Sequence, residues 1–154
     1  MNADDIRGLF FLDTNIFVYS FDDRAPEKRR LARQWIGDAL RTQRGIVSTQ
    51  VVQEFLSVAT QKFASPLAIS DAREYLRSVL QPLCHHYPSI AFYDRALCVK
   101  ENVGCAWFDA LIIAAAQEAA CSVLLSEDLQ TGRQIDKLRI LDPFAAGPKP
   151  GASG

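Results

Sequence analysis

Four acidic residues, Asp13, Glu54, Asp109 and Asp128, stand out because each is set against an apolar run. Asp13 directly ends Leu9-Phe10-Phe11-Leu12, and Asp128 follows Ser122-Val123-Leu124-Leu125-Ser126 by two residues. Glu54 lies early in the periodic segment after Ile46-Val47-Ser48, and Asp109 opens the run Ala110 to Ala116. An acid at the end of a buried strand needs partners, since a charge that loses its hydration is costly. Carboxylates brought close together push up one another's pKa, so a converging set calls for a positive counter-charge. Oxygen-only ligation suits hard divalent cations, and Mg²⁺ takes few carboxylates while keeping waters for a substrate phosphate. Mg²⁺, with Mn²⁺ as a substitute, is the expected cofactor, and phosphodiester hydrolysis by metal-activated water the expected chemistry. Each acid also has a plainer role available: Asp109 complements a helix N-terminus and Asp128 caps a turn. Asp4, Asp5, Asp22, Asp23 and Asp94 read as solvated acids.

The elements that must position these acids follow from hydrophobic spacing. Leu9 to Leu12 has no polar alternation, which suits a parallel strand covered on both faces. Pro26 fits a first helical turn, and Leu31, Trp35, Ile36, Ala39 and Leu40 recur at helical spacing before Gly45. Ile46-Val47-Ser48 reads as a second strand, followed by a helix carrying Val51, Val52, Phe55, Leu56, Ala59 and Phe63, capped by Ser48 or Thr49 and closed by Pro66. A third helix starts near Ser70 and is expected to stop at Pro82, with Leu83 to His85 a brief strand. Further helices run from Ser89 to a cap at Gly104 and from about Trp107 onward; Ser122–Ser126 and Arg139–Leu141 are the last strands. Strands alternating with helices predict a mainly parallel, three-layer α/β/α sheet. In such sheets ligands bind beyond the carboxyl ends of the strands, where Asp13 and Asp128 fall and where the first turns of the Glu54 and Asp109 helices can reach.

The chain of 154 residues, 49% hydrophobic and 23% charged, is long enough for one full core. A single domain over 1–146 with a flexible tail over 147–154 is expected, the tail having nothing apolar to anchor it. The acidic start is not a signal peptide and no stretch is long and apolar enough to span a bilayer, so a cytoplasmic location and no membrane partner are expected. Cys84, Cys98, Cys105 and Cys121 lack metal-site spacing and read as free, mostly buried thiols; the adjacent His85 and His86 cannot readily share a metal. With 17 basic and 18 acidic residues, bulk charge does not announce a nucleic-acid binder. Local charge does cluster: Arg24, Lys28, Arg29, Arg30 and Arg33 crowd the first long helix and Arg41 and Arg44 extend it, either as a solvated face or as contacts to the phosphates of a nucleic acid.

The segment Phe11-Leu12-Asp13-Thr14-Asn15-Ile16-Phe17-Val18-Tyr19 resembles the opening motif of PIN-domain nucleases. Gln50-Val51-Val52-Gln53-Glu54-Phe55, Trp107-Phe108-Asp109-Ala110-Leu111-Ile112-Ile113-Ala114-Ala115-Ala116 and Leu124-Leu125-Ser126-Glu127-Asp128-Leu129 resemble the three further motifs in order and spacing, from about Leu9 to Phe144. Length and pattern are most similar to VapC-type toxins, the ribonuclease halves of bacterial toxin–antitoxin pairs. The resemblance implies a five-stranded sheet of order 3-2-1-4-5, metal ligation by Asp13 and Asp109, and Glu54 and Asp128 completing the pocket directly or through water. It implies Asn15 and Ser126 as polar supports of the carboxylates, whose loss weakens rather than abolishes activity. It also implies RNA as substrate, a homodimer, and a cognate antitoxin segment across the groove; Phe63, Leu67, Ile69 and Tyr75 are apolar positions open to such contacts. One departure stands out: the family's common Ser-Phe-Trp-Asp is here Ala106-Trp107-Phe108-Asp109, which removes a helix-capping hydroxyl.

Rival folds lack a needed residue. A haloacid-type phosphatase requires a second aspartate where Asn15 stands, and a receiver domain requires a lysine after its last strand, where Pro143 stands. The serious alternative to a nuclease is a catalytically weak PIN-like domain that binds RNA or protein. Against it, a retired site has no physical reason to keep four mutually repelling acids.

Overall fold

In the computed structural model, residues 1–145 are described; residue 146 and the expected tail over 147–154 lie outside them. Phe10–Leu12 forms β1 at the centre of the sheet, paired in parallel with β2 (Gly45–Ser48) on one side and β4 (Val123–Leu125) on the other. All three strands are buried along their length, including residues that point to opposite faces, so helices cover both sides as the unbroken apolar runs require.

The full order is β3-β2-β1-β4-β6-β5, with β3 at Cys84–His86, β5 at Gln134–Ile135 and β6 at Leu138–Leu141. The sheet thus has six strands rather than the expected five. Its five parallel strands keep the implied 3-2-1-4-5 order, with β6 in fifth place. The addition is β5, an antiparallel edge strand joined to β6 through a turn in which Asp136 takes φ 53°. Two residues, one of them Gln134, are too short and too polar to register as an apolar run.

Helix α2 (Pro26–Thr42) buries Ala32, Trp35, Ile36 and Ala39 and ends at Gln43, whose φ of 58° turns the chain toward β2. The Trp35 indole donates to the carbonyl of Pro143 at 3.0 Å, tying α2 to the segment after β6. Arg44 donates to the carbonyls of Ala3, Ile6 and Gly8, so it holds the N-terminal turn rather than extending a charged face. Helix α3 (Thr49–Gln61) is capped by the Ser48 hydroxyl, which accepts from the Val51 amide at 3.4 Å. Helix α6 (Ile90–Val103) runs from the Ser89 cap to Gly104 at φ 75°, and α7 (Trp107–Glu118) buries every residue from Ala110 to Ala116.

Two helical features depart from the sequence expectation. Thr14–Tyr19 forms α1, a short helix opening directly off β1 with Asp13 as its cap. The helix α4 (Ile69–Tyr75) does not stop at Pro82: it passes through a π-helical stretch, Leu76–Leu80, into a last turn α5 (Gln81–Leu83). Pro82 is the second residue of α5, directly after the π-helical stretch, where the wider turn accommodates a residue without an N–H. The strand that follows is consequently shifted by one residue.

The four cysteines are free, as expected, but only Cys121 is fully buried and Cys98 is exposed. His86 is buried against Phe92 with Nε2 3.1 Å from Glu118, whereas His85 is exposed. Among the described residues no helix is long and apolar enough to cross a membrane.

Candidate active site

Sheet register builds the site. Leu12 lies opposite Leu125 in the β1–β4 ladder, so the residues that follow, Asp13 and Ser126, come side by side at the carboxyl edge. The Asp13 amide continues the ladder by donating to Leu125 at 3.1 Å. The buried Ser126 hydroxyl donates to Asp13 Oδ2 at 2.8 Å, and the Thr14 amide donates to Asp13 Oδ1 at 2.7 Å. Asp13 therefore serves as α1 cap and site carboxylate at once.

Glu54 reaches the same edge from the second turn of α3. Thr14 Oγ1 donates to Glu54 Oε2 at 2.8 Å, and Gln50 Nε2 donates to Oε1 at 2.8 Å. The same Gln50 amide lies 3.3 Å from the Phe108 carbonyl, which links α3 to the start of α7. Asn15 Nδ2 donates to Asp128 Oδ2 at 2.6 Å. Asp109, in the first turn of α7, accepts no hydrogen bond through its carboxylate among the described residues. All four acids line one cavity of about 490 Å³, with Lys62 as its basic side chain.

Burial pushes the Asp13 carboxyl up to about 6; the Ser126 and Thr14 hydrogen bonds pull against this, while the charges of Asp128 and Glu54 add to it. Asp109 is likewise held above its ordinary range by burial first, then by Asp128 and Glu54. An acid raised by burial and by its own neighbours marks a cavity short of positive charge. The donor set, carboxylates with hydroxyl and amide supports, fits a hard divalent cation. The acids are not drawn into a ready-made ligand set: among the described residues, no three His, Cys, Asp or Glu side chains meet closely enough to hold a metal. Hydrogen bonds tether three of the acids to neighbouring side chains, and Asp109 has no such tether among the described residues.

Asn15 and Ser126 stand where the sequence places them, each bonded to one acid. Thr14, Gln50 and Lys62 were not anticipated. Gln50 and Glu54 lie one turn apart on α3 and Lys62 caps its C-terminus, so the same helix brings all three to the cavity wall, which the acidic motif alone does not advertise.

Arg24, just before α2, and the four basic residues of its first half sit elsewhere. Arg24 pairs with Asp22 at 3.1 Å, Arg30 with Glu27 at 2.6 Å, Lys28 with Glu127 and Arg29 with Asp23. Arg33 donates to the Ser20 carbonyl at 2.9 Å, and none of the five lines the acidic cavity. Of the apolar positions read as open to partners, Ile69 is 69% exposed, but Phe63 and Tyr75 pack with Phe21 and Phe55, and Leu67 packs on the core.

A comparison with curated protein sequences finds no significant match. Among solved structures, the chain is similar to a toxin–antitoxin complex from Klebsiella pneumoniae at 20% identity and a TM-score of 0.62, covering 86% of this chain and 96% of that one. It is also similar to the DNA-bound VapBC of Salmonella typhimurium at 18% identity and a TM-score of 0.59, covering 89% and 99%. The sarcin–ricin-loop-cleaving toxin VapC20 of Mycobacterium tuberculosis follows at 15% identity and a TM-score of 0.50, covering 77% and 89%. At these identities the likeness concerns the fold. The PIN domain family model matches residues 10–137, spanning all four acids and the strands and helices that carry them, and on that match the chain belongs to the PIN domain family.

Proposed function

We propose that this chain is a divalent-cation-dependent endoribonuclease, the VapC-like toxin of a toxin–antitoxin pair. The observation that carries the reading is the single cavity lined by Asp13, Glu54, Asp109 and Asp128, in which Asp13 is raised to about 6. Asp13 and Asp109 would hold Mg²⁺ or Mn²⁺, with Glu54 and Asp128 completing the pocket directly or through water. When bound, the cation supplies the missing counter-charge, acidity for an attacking water and stabilisation of the leaving oxygen.

The chain's own residues prepare that chemistry. Ser126 and Thr14 fix both oxygens of Asp13, and Thr14 with Gln50 fixes both oxygens of Glu54. Asn15 restrains Asp128, leaving Asp109 free to close on the cation. Lys62 on the cavity wall offsets the charge of an entering phosphate. Among the described residues no cysteine or histidine lines the cavity, so they offer neither a thiolate nor an imidazole acid–base pair there. Water is the expected nucleophile, which leaves 5′-phosphate and 3′-hydroxyl ends. End-group analysis of the cut RNA tests this, and 2′,3′-cyclic phosphate would contradict it.

The toxin assignment rests on solved neighbours described as toxin–antitoxin complexes and, in one case, as an RNA-loop-cleaving toxin. It brings with it a homodimer, an antitoxin partner and action on RNA in the cytoplasm. One observation favours a second reading, a PIN-like domain that binds RNA or protein with little turnover: the acids do not stand as a ready-made ligand set among the described residues. Turnover of RNA in Mg²⁺ separates the two.

A further inference from the structure

Beside the acidic cavity lies a second, of about 220 Å³, with which it shares Gln50, Gln53, Glu54 and Phe108. Its character differs. Buried His86, Phe92 and Leu111 line its inner side, while Tyr93 and Phe108 stand at the mouth, 40% and 65% exposed. No Lys or Arg lines it, so it is not built for a second phosphate, and Glu54 is its one acid, already bonded to Thr14 and Gln50.

Phe108 occupies an unusual place for so exposed an aromatic ring. It directly precedes Asp109, and its carbonyl faces the Gln50 amide that also holds Glu54, so its backbone is fixed relative to the acids. The ring offers a π face and nothing else. At the rim, the exposed Gln53 side chain makes no hydrogen bond among the described residues, leaving an amide donor and acceptor for the edge of a planar ligand.

We propose that this slot takes an unpaired nucleobase of the RNA whose phosphate enters the acidic cavity, stacked on Phe108 and bounded by Tyr93. The proposal rests on the ribonuclease reading for the identity of the strand and deepens it by naming the side chains that would hold a base beside the scissile phosphate. The two cavities share Gln50, Gln53, Glu54 and Phe108 as lining, so a base in one lies within reach of a phosphate of the same strand in the other. A flat neutral ring with a polar edge matches an apolar slot with an amide rim. A paired base is already stacked within its duplex, so only an unpaired one can enter. Phe108 and Tyr93 thereby become specificity-determining residues.

The test is a coupling measurement between side chain and base. Binding is read by anisotropy on end-labelled single-stranded RNA oligomers, each with one abasic ribose at a successive position, in chelator and low salt. The proteins share an Asp109→Asn background, which lessens repulsion and prevents cutting; Phe108 is intact, Phe108→Ala or Phe108→Trp. Removing one particular base is expected to weaken binding to the Phe108 protein roughly 5- to 150-fold, the range for base–aromatic stacking, and to change binding to the Phe108→Ala protein little. Phe108→Trp restores the sensitivity. Lys62→Ala weakens every oligomer alike and keeps it. Equal losses with and without the Phe108 ring on every oligomer would assign the slot to something other than RNA, such as a partner-protein side chain, and overturn the proposal, as would no binding of any single strand. Coupling without RNA turnover in Mg²⁺ by the wild-type chain supports the slot and overturns the nuclease reading. Turnover without coupling does the reverse.

Discussion

Ser126, at the end of β4, donates its hydroxyl to Asp13 Oδ2 at 2.8 Å, at the end of the neighbouring strand β1. The bond stabilises the charged form of an acid that burial otherwise neutralises. Ser126→Ala removes it without adding volume. The expected result is a loss of about 10- to 100-fold in RNA cleavage, the usual effect of losing a support behind a metal ligand, with the pH–rate profile moved to higher pH. Cleavage rates across pH for the two proteins check both parts.

Asp13 also has a stability signature. Burial raises its folded pKa to about 6 from the ordinary 3.8, so the folded state disfavours the ionised form. Below the unfolded value both states are protonated and the group contributes nothing. As pH rises from there through the folded value, the metal-free protein loses stability, by up to about 3 kcal/mol. Asp13→Asn is therefore expected to melt higher than the parent chain in EDTA at neutral pH, by roughly 5 °C, with the gap closing toward pH 4. Paired thermal melts give the answer, and the same variant should be inactive on RNA.

Thr14→Val keeps the shape of a nearly buried side chain but deletes the hydroxyl that donates to Glu54. Glu54 is then held by Gln50 alone. Activity is expected to fall about tenfold while the fold survives. Restoration of the hydroxyl by Thr14→Ser should recover much of the rate.

Gly45 marks where α2 crosses close to β2. A Cβ there would lie 2.9 Å from Ala39 Cα, a backbone atom of a packed helix, and closer still to its Cβ. Gly45→Ala is expected to cost about 1–3 kcal/mol by overpacking. Urea unfolding should show a lower midpoint with an unchanged slope.

Lys62 and Arg30 separate cavity charge from surface charge. Lys62 lines the acidic cavity, whereas Arg30 is exposed and paired with Glu27 one helical turn away. Lys62→Ala should weaken RNA binding and reduce the slope of log Kd against log salt by about 0.7, as the loss of one phosphate contact to a single strand does. Arg30→Ala should change neither.

Much of this site was legible in the sequence because the strands that carry it are short and wholly apolar. Leu9 to Leu12 and Val123 to Leu125 announce themselves, and the acid just past each one falls at the sheet edge by geometry alone. Helix α1 was not legible: its six residues, Thr14–Tyr19, have no polar face to set a helical period and follow the strand without a break. Missing α1 meant missing Thr14 as the bridge between Asp13 and Glu54. The basic cluster is legible in the sequence as charge, whereas its ion pairs are not. Its charges are real, but Asp22, Asp23 and Glu27 lie within a few residues and absorb three of them, and Glu127, distant in sequence, absorbs a fourth. Lys62 has no such acid within a few residues and, standing alone in the sequence, forms no visible charge cluster.

The central claim is that the acidic cavity cuts RNA with a divalent cation. Incubation of the purified chain with single-stranded RNA in Mg²⁺, and again after EDTA, tests it most directly. Discrete cleavage that stops in chelator and returns when excess Mg²⁺ or Mn²⁺ is added is expected; cleavage undiminished in EDTA, or none in Mg²⁺, would refute the metal-dependent reaction.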